Sequence, residues 1–342
     1  MDWRSFLCCS TIFTELKKET IYLNLNKEFS IKYYEDEEFR SLVLSKINHP
    51  RLQLSINLKR YNGNYENLHV LNGIHSLNLE DNRELMDVSM LTDISMLNLT
   101  RCQNISNVNM LGNAHTLILI CCTGITDVSG LGNVHTLSLS GCVNITDVKS
   151  LGNNHTLSLV GCPSIQDVSN LGKVKNLYLS YCEGITDVSQ LANVHTLNLS
   201  HCRNIKNVNT LTNVYDLDLS ECDQIVDVSG LGNCHRLNLS GCTEILEVNS
   251  LGNVYELNIS GCVNILDVSK LGNVKKLNLS GCNYVDDVSA LKNVEVLNLS
   301  NCNSVTDVSM LTSVKYLDLS KSYVYRDTSA LVGKVKTLKL GW

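Results

Sequence analysis

Three columns of chemically capable side chains recur in this chain at intervals of 20 residues. Eleven of its 15 cysteines, Cys102 to Cys302, share one position in successive intervals, and thiolates in such number are raw material for disulfides, zinc sites and nucleophiles. A second position holds Asp87, Asp127, Asp147, Asp167, Asp187, Asp227, Asp267, Asp287, Asp307 and Asp327, with Asn107, Asn207 and Glu247 in the other intervals. Neighbouring carboxylates can divide the work of acid and base. A third holds His75, His115, His135, His155, His195 and His235. Imidazoles stacked about 5 Å apart, the strand spacing, would be placed to collect a metal.

The substitution pattern of each column points away from that chemistry. Asn82 precedes the cysteines in their slot and Ser322 follows them. Asn, Cys and Ser share small size and the ability to hydrogen-bond backbone groups at a buried turn, so the column reads as a ladder of interior thiols. No C-x-x-C occurs, and eleven thiols do not pair. Catalytic carboxylate pairs need two different environments, whereas this column repeats one. Most of its members open a D-V-S-x-L segment, where the side-chain oxygen is expected to accept backbone N–H groups and cap a single helical turn. The histidines give way freely to Lys175 and Tyr215, which argues against a metal site; a partly exposed ladder at a strand entrance is expected. No nucleophile–base pair, phosphate loop or metal motif remains, so the chain reads as non-enzymatic, without cofactor or metal. The N-x-S/T triplets, such as Asn198-Leu199-Ser200, follow from the repeat itself and say nothing of secretion.

The element that positions these columns is the unit Leu131 to Ser150, LGNVHTLSLSGCVNITDVKS. Its apolar residues, Leu131, Val134, Leu137, Leu139, Cys142, Ile145 and Val148, are separated by three, three, two, three, three and three. A helix needs alternating threes and fours and a strand needs twos, so this spacing describes a coil bending round a narrow interior, with one strand at Leu137 to Leu139. Val134, Leu137, Leu139 and Cys142 resemble the leucine-rich repeat signature L-x-x-L-x-L-x-x-N/C. Cys142 to Asp147 resembles the cysteine-containing variety often found behind F-box domains. The resemblance spans residues 52 to 342 and implies an α/β-type leucine-rich repeat solenoid that binds other proteins. With 20 residues per coil the back has no room for a full helix, so the expected form is mostly parallel β, one strand per coil, with short 3-10 turns on the convex side.

Four segments are expected: a capping or docking segment of mixed helix and strand at 1–50, a degenerate first coil at 51–70, thirteen repeats at 71–330 and an irregular closing coil at 331–342. In the first, Trp3, Phe6, Leu7, Phe13 and Leu16 suggest one helix face, Ile21 to Leu25 a strand, Phe29 to Tyr34 a second strand, and Asp36 the cap of a helix through Ile47. It lacks the Leu-Pro opening of an F-box. At the other end Val335, Leu338 and Leu340 close the core, and Lys334, Lys336 and Lys339 guard the terminal strand against pairing. A net charge of -6, with both signs mixed along the chain, argues against nucleic acid and anionic membrane as partners. Buried thiols fit a reducing compartment, and an intracellular, cytoplasmic location is expected.

Function is therefore expected where the outward strand slots break their Thr, Asn and Ser monotony. Met96, Ile118, Ile120, Val160, Tyr178 and Tyr181 would form an apolar and aromatic patch, and Asp216, Asp218 and Glu221 an acidic one. The expected function is a non-catalytic protein-interaction scaffold; the alternative is a substrate receptor of a ubiquitin ligase, with residues 1–50 docking an adaptor.

Overall fold

The structure, a computed structural model, describes residues 21–46, 52–322 and 327–341. The helix face expected at Trp3 to Leu16 lies outside them. The chain forms two compact units, one up to Ile145 and one from Thr146.

The first unit opens with β1 (Ile21–Asn24), α1 (Lys27–Glu35), α2 (Glu37–Lys46) and β2 (Leu52–Asn57). Asn26 caps α1 by accepting the Phe29 N–H at 2.9 Å, and Asp36 caps α2 by accepting that of Phe39 at 2.9 Å. Phe29 to Tyr34 is thus helix where a strand was expected: Ser30, Tyr33 and Tyr34 are buried at helical spacing. Phe29 and Phe39 stack across the two helices at 6.1 Å. The Ser30 hydroxyl accepts the Asn57 N–H, and the Tyr34 hydroxyl donates to the Asn64 carbonyl, so α1 is bonded to the first coil.

Strands β1, β2, β3 (Ser76–Asn78), β4 (Met96–Asn98), β5 (Thr116–Ile118) and β6 (Thr136–Ser138) pair in chain order, all parallel. The second unit continues the pattern with β7 (Thr156–Ser158), β8 (Asn176–Tyr178), β9 (Thr196–Asn198), β10 (Asp216–Asp218), β11 (Arg236–Asn238), β12 (Glu256–Asn258), β13 (Lys276–Asn278), β14 (Val296–Asn298), β15 (Tyr316–Asp318) and β16 (Thr337–Lys339). Within this unit each strand pairs in parallel with the next in the order of the chain. From β9 to β15 partners stand 20 residues apart, as Leu217 with Leu237. At the last pair the step is 21, Leu317 with Leu338.

The three-residue spacing of the apolar positions is a spacing of turns. Leu131 donates its N–H to the Val128 carbonyl and Val134 to that of Leu131; beyond the strand, Cys142 donates to Leu139 and Ile145 to Cys142. Leu131, Val134, Cys142 and Ile145 thus each mark a bend closed by an i→i−3 bond, which turns the next side chain inward again. The 3-10 turn Ser129–Leu131 is one such bend, and a matching turn stands on most coils. The interior these turns enclose is filled by Leu, Ile, Val and Cys with almost no exposure. At the closing coil Val335 is buried as expected, but Leu338 is only half-buried and Leu340 is 55% exposed, because β16 is the last strand of the sheet and is stacked on one side only.

Candidate interaction surface

The cysteine column is structural. Each of Cys102, Cys122 and Cys142 in the first unit donates its thiol to a carbonyl one coil back, at Leu79, Leu99 and Leu119, over 3.0 to 3.2 Å. In the second unit Cys182 to Cys302 do the same, Cys222 to Leu199 for example. Asn82 fills the slot with the same bond, its amide donating to the carbonyls of Leu58 and Leu79. Burial pushes the thiols up, Cys102 to about 11 and Cys182 to about 12, so they stay protonated donors and poor nucleophiles.

The aspartate column builds turns, with one difference from expectation. Asp187 accepts the Ser189 N–H at 2.8 Å, and Asp87, Asp127, Asp147, Asp167, Asp227, Asp267, Asp287, Asp307 and Asp327 make the same i→i+2 bond. The residue at the helical N-cap is the following valine, such as Val188, which offers no side-chain bond. The carboxylate therefore closes an Asx turn one step ahead of the 3-10 turn and does not cap it. The bond from the serine N–H holds the Asp187 carboxyl below its ordinary value.

The histidine column is a ladder of stacked rings. His115 lies 4.6 Å from His135, and in the second unit His195, Tyr215, His235 and Tyr255 stack in sequence at 4.9, 4.6 and 4.7 Å. Where tyrosine replaces histidine the stack continues, while Lys175, Lys275, Glu295 and Lys315 fill the same slot in other coils without a ring. Among the described residues no group of three His, Cys, Asp or Glu side chains is arranged to hold a metal ion.

The outward strand residues fall in both units. In the first, Met96 and Ile118 lie on the adjacent strands β4 and β5 but one rung apart, Met96 beside Thr116 and Ile118 beside Asn98; Ile120 follows two residues on. Met96 is exposed, and Ile118 and Ile120 are half-buried. In the second unit Val160 and Tyr178 are half-buried, and Tyr178 stands in the outward row that continues through Asn198 and Asp218. Asp218 is engaged within the chain: it accepts from the Asn198 and Asn238 amides and from the Ser220 hydroxyl and N–H. Asp216 faces Arg236 at 3.5 Å, and the row continues as Arg236 to Glu256 and Glu256 to Lys276, which balances charge along the strands.

Tyr181 and Glu221 belong to a different column, which the spacing alone did not reveal. The residue after each strand's exit has positive φ, and Gly141, Gly161, Gly241, Gly261 and Gly281 fill it without strain. Tyr181 (φ 61°), His201 (φ 59°) and Glu221 (φ 58°) occupy the same left-handed conformation with full side chains. Tyr181 is 51% exposed and stacks on His201 at 4.3 Å with rings only 10° apart. Beyond Glu221 the missing side chains of Gly241, Gly261 and Gly281 open a trough of about 750 Å³. Ser240, Ser260, Ser280 and Ser300 line it, with Glu221 at one end and Asn301 and Lys321 at the other.

One strand per 20-residue coil, parallel pairing in chain order, short 3-10 turns behind and a leucine-lined interior define a leucine-rich repeat solenoid. Among solved structures the chain is similar to the internalin InlF of Listeria monocytogenes, at 22% identity and a TM-score of 0.59 over 74% of this chain and 82% of that one. It is also similar to the functional domain of InlJ from the same bacterium, which includes a cysteine ladder, at 19% identity and 0.57 over 84% and 67%. The leucine-rich effector protein YopM of Yersinia pestis is 12% identical, with a TM-score of 0.53 over 100% of both chains. Identities this low establish the fold alone. No protein-family model and no curated protein matches the sequence.

Proposed function

We propose that the chain is a non-catalytic protein-interaction scaffold whose second unit grips a partner on the strand face and its exit rim, from Val160 and Tyr178 through Tyr181 and Glu221 into the glycine-floored trough. The observation that carries this reading is Tyr181. An L-residue in the left-handed region is disfavoured by about 1–2 kcal/mol; glycine fills the slot in five coils, and of the side chains that fill it elsewhere, among them Asp81, Arg101, Cys121, Asn301 and Lys321, Tyr181 is the large aromatic one. A half-exposed aromatic kept there against that cost, braced by a second ring, is the kind of rigid anchor that dominates protein interfaces. Cross-linking capture from cells tests it: Tyr181→Gly with His201→Gly relaxes the backbone and should abolish capture while the circular dichroism spectrum stays unchanged. Undiminished capture would remove this rim from the interface.

Less supports the alternative, a ubiquitin-ligase substrate receptor docking an adaptor through residues 1–50. In the described part of that segment Tyr33, Tyr34, Phe39 and Val43 are buried, and the large apolar side chains left outside are Tyr22 and Leu44. An adaptor that co-purifies with the chain and is lost on deleting residues 1–50 would select this reading. The buried thiols support an intracellular, cytoplasmic setting for either role.

A further inference from the structure

On the side of the second unit away from the strands, the position before the aspartate column holds Thr186, Thr306 and Gln166 in some coils and Lys206 and Asp286 in others. In three consecutive coils it holds Val226, Leu246 and Leu266, exposed by 54%, 54% and 65%. The Thr and Gln coils show that packing does not require an apolar residue there. Adjacent coils keep register on this side: Asn209 reaches Asp227 and Asn249 reaches Asp267 through their amides, at 2.6 and 2.9 Å. The three side chains therefore form one aliphatic stripe. Asp227, Glu247 and Asp267 run along one border and Glu244 stands on the other; Asp286 closes one end and Lys206 the other, and Lys270 is the further cation nearby in the chain.

From this stripe we infer a second docking surface, distinct from the strand face, whose occupant is a basic amphipathic helix. Rungs about 4.8 Å apart place the outer two side chains about 10 Å apart. A helix lying along the stripe presents residues i, i+4 and i+7 over about 10.5 Å, at 1.5 Å per residue. An extended strand presents i, i+2 and i+4 over about 13 Å and slips out of step within three rungs. The border decides the charge. A second copy of this chain would bring the same carboxylates against it, whereas Lys or Arg along one edge of a helix would answer them.

The test uses the full chain and a synthetic amphipathic peptide with Leu at i, i+4 and i+7 and Lys along one edge, followed by fluorescence anisotropy. Saturable binding that weakens with salt is expected, together with a loss of roughly tenfold or more in the Val226→Thr, Leu246→Thr, Leu266→Thr triple variant, which gives up apolar burial at all three contacts. The same peptide with Glu in place of Lys should not bind. Threonine already occupies the slot at Thr186 and Thr306, so the triple variant should keep the wild-type urea midpoint. Equal binding by the triple variant, or by the Glu peptide, would overturn the inference. So would a concentration-dependent dimer, seen by sedimentation and abolished by the triple variant, which would give the stripe to a second copy. Because Tyr181 and His201 lie on the other side of the coil, Tyr181→Gly with His201→Gly should leave peptide binding intact, and the two readings fail independently.

Discussion

The Lys339 ammonium lies 2.8 Å from the carboxylate of Asp318, which is only 5% exposed, and this pair reinforces the backbone bonds between β15 and the closing strand β16. Of the three lysines expected to guard that edge, Lys334 and Lys336 are exposed, while Lys339 is engaged by its neighbour.

Burial works against the charge on Asp318, but bonds from Lys339 and Ser320 outweigh it and hold the carboxyl below its ordinary value; the same pair raises Lys339. A lowered carboxyl contributes stability above its unfolded value of about 3.9 and loses it as pH falls through the folded one; a raised lysine contributes below about 10.4 and loses it as pH rises through its folded value. The closing strand should be held best between those limits. In hydrogen exchange at neutral pH, Lys339→Met should deprotect the Leu319 and Lys321 amides, which donate to the Lys339 and Gly341 carbonyls of the closing segment. Adding Asp318→Asn should restore part of the protection, since no buried carboxylate is then left unpaired. Unchanged exchange in Lys339→Met would show that the backbone ladder alone suffices.

The aspartate slot makes a second prediction. Asn107 and Asn207 accept the same i+2 N–H at 3.2 Å, slightly longer than the 2.8 Å made by Asp187. Asp187→Asn should therefore lower the urea midpoint slightly and Asp187→Ala markedly. Because the folded carboxyl is depressed, the wild-type advantage over Asp187→Asn should be present at neutral pH and vanish as pH falls below about 4. A constant difference across that range would place the effect elsewhere.

Thiol chemistry should separate one cysteine from the ladder. Cys121 sits in the positive-φ column and is half-exposed, whereas the other described cysteines are buried, with thiols such as Cys242 and Cys282 pushed up to about 12. In a Cys8→Ser, Cys9→Ser background one equivalent should react quickly with maleimide at pH 8, mapping to Cys121, and the rest only after denaturation. Within the ladder, Cys222→Ser keeps a donor for the Leu199 carbonyl, while Cys222→Val removes it and adds volume, at about 1–3 kcal/mol. Chemical denaturation of the two variants should reproduce that order.

At Tyr181 the backbone itself is testable. Glycine suits φ 61°, so Tyr181→Gly should stay within about 1 kcal/mol of wild type despite the lost stack. Tyr181→Val, β-branched in the same conformation, should lose about 1–2 kcal/mol or more. Equal stability of the two variants would mean that the chain relaxes out of the left-handed region.

The amino-acid order by itself determined the coil. A repeat of 20 with inward residues mostly three apart is met by bends closed with i→i−3 bonds, so the interior and the thiol ladder were legible from spacing and substitution, and the strand was legible to within one residue, expected at Leu137 to Leu139 and found at Thr136–Ser138. Phe29 to Tyr34 was not, because a short segment with apolar residues on both periods is decided by its cap, Asn26, and by what buries Tyr33 and Tyr34. Only the tertiary structure decided which outward side chains are bonded within the chain. Asp216 and Asp218 look alike in sequence to Glu221, yet their neighbours 20 residues away bind them, and Glu221 instead closes a trough opened by three glycines. Stacking brings residues one period apart to about 5 Å, so the fate of each exposed group is set by its rung neighbours and by backbone sign, which no single coil contains.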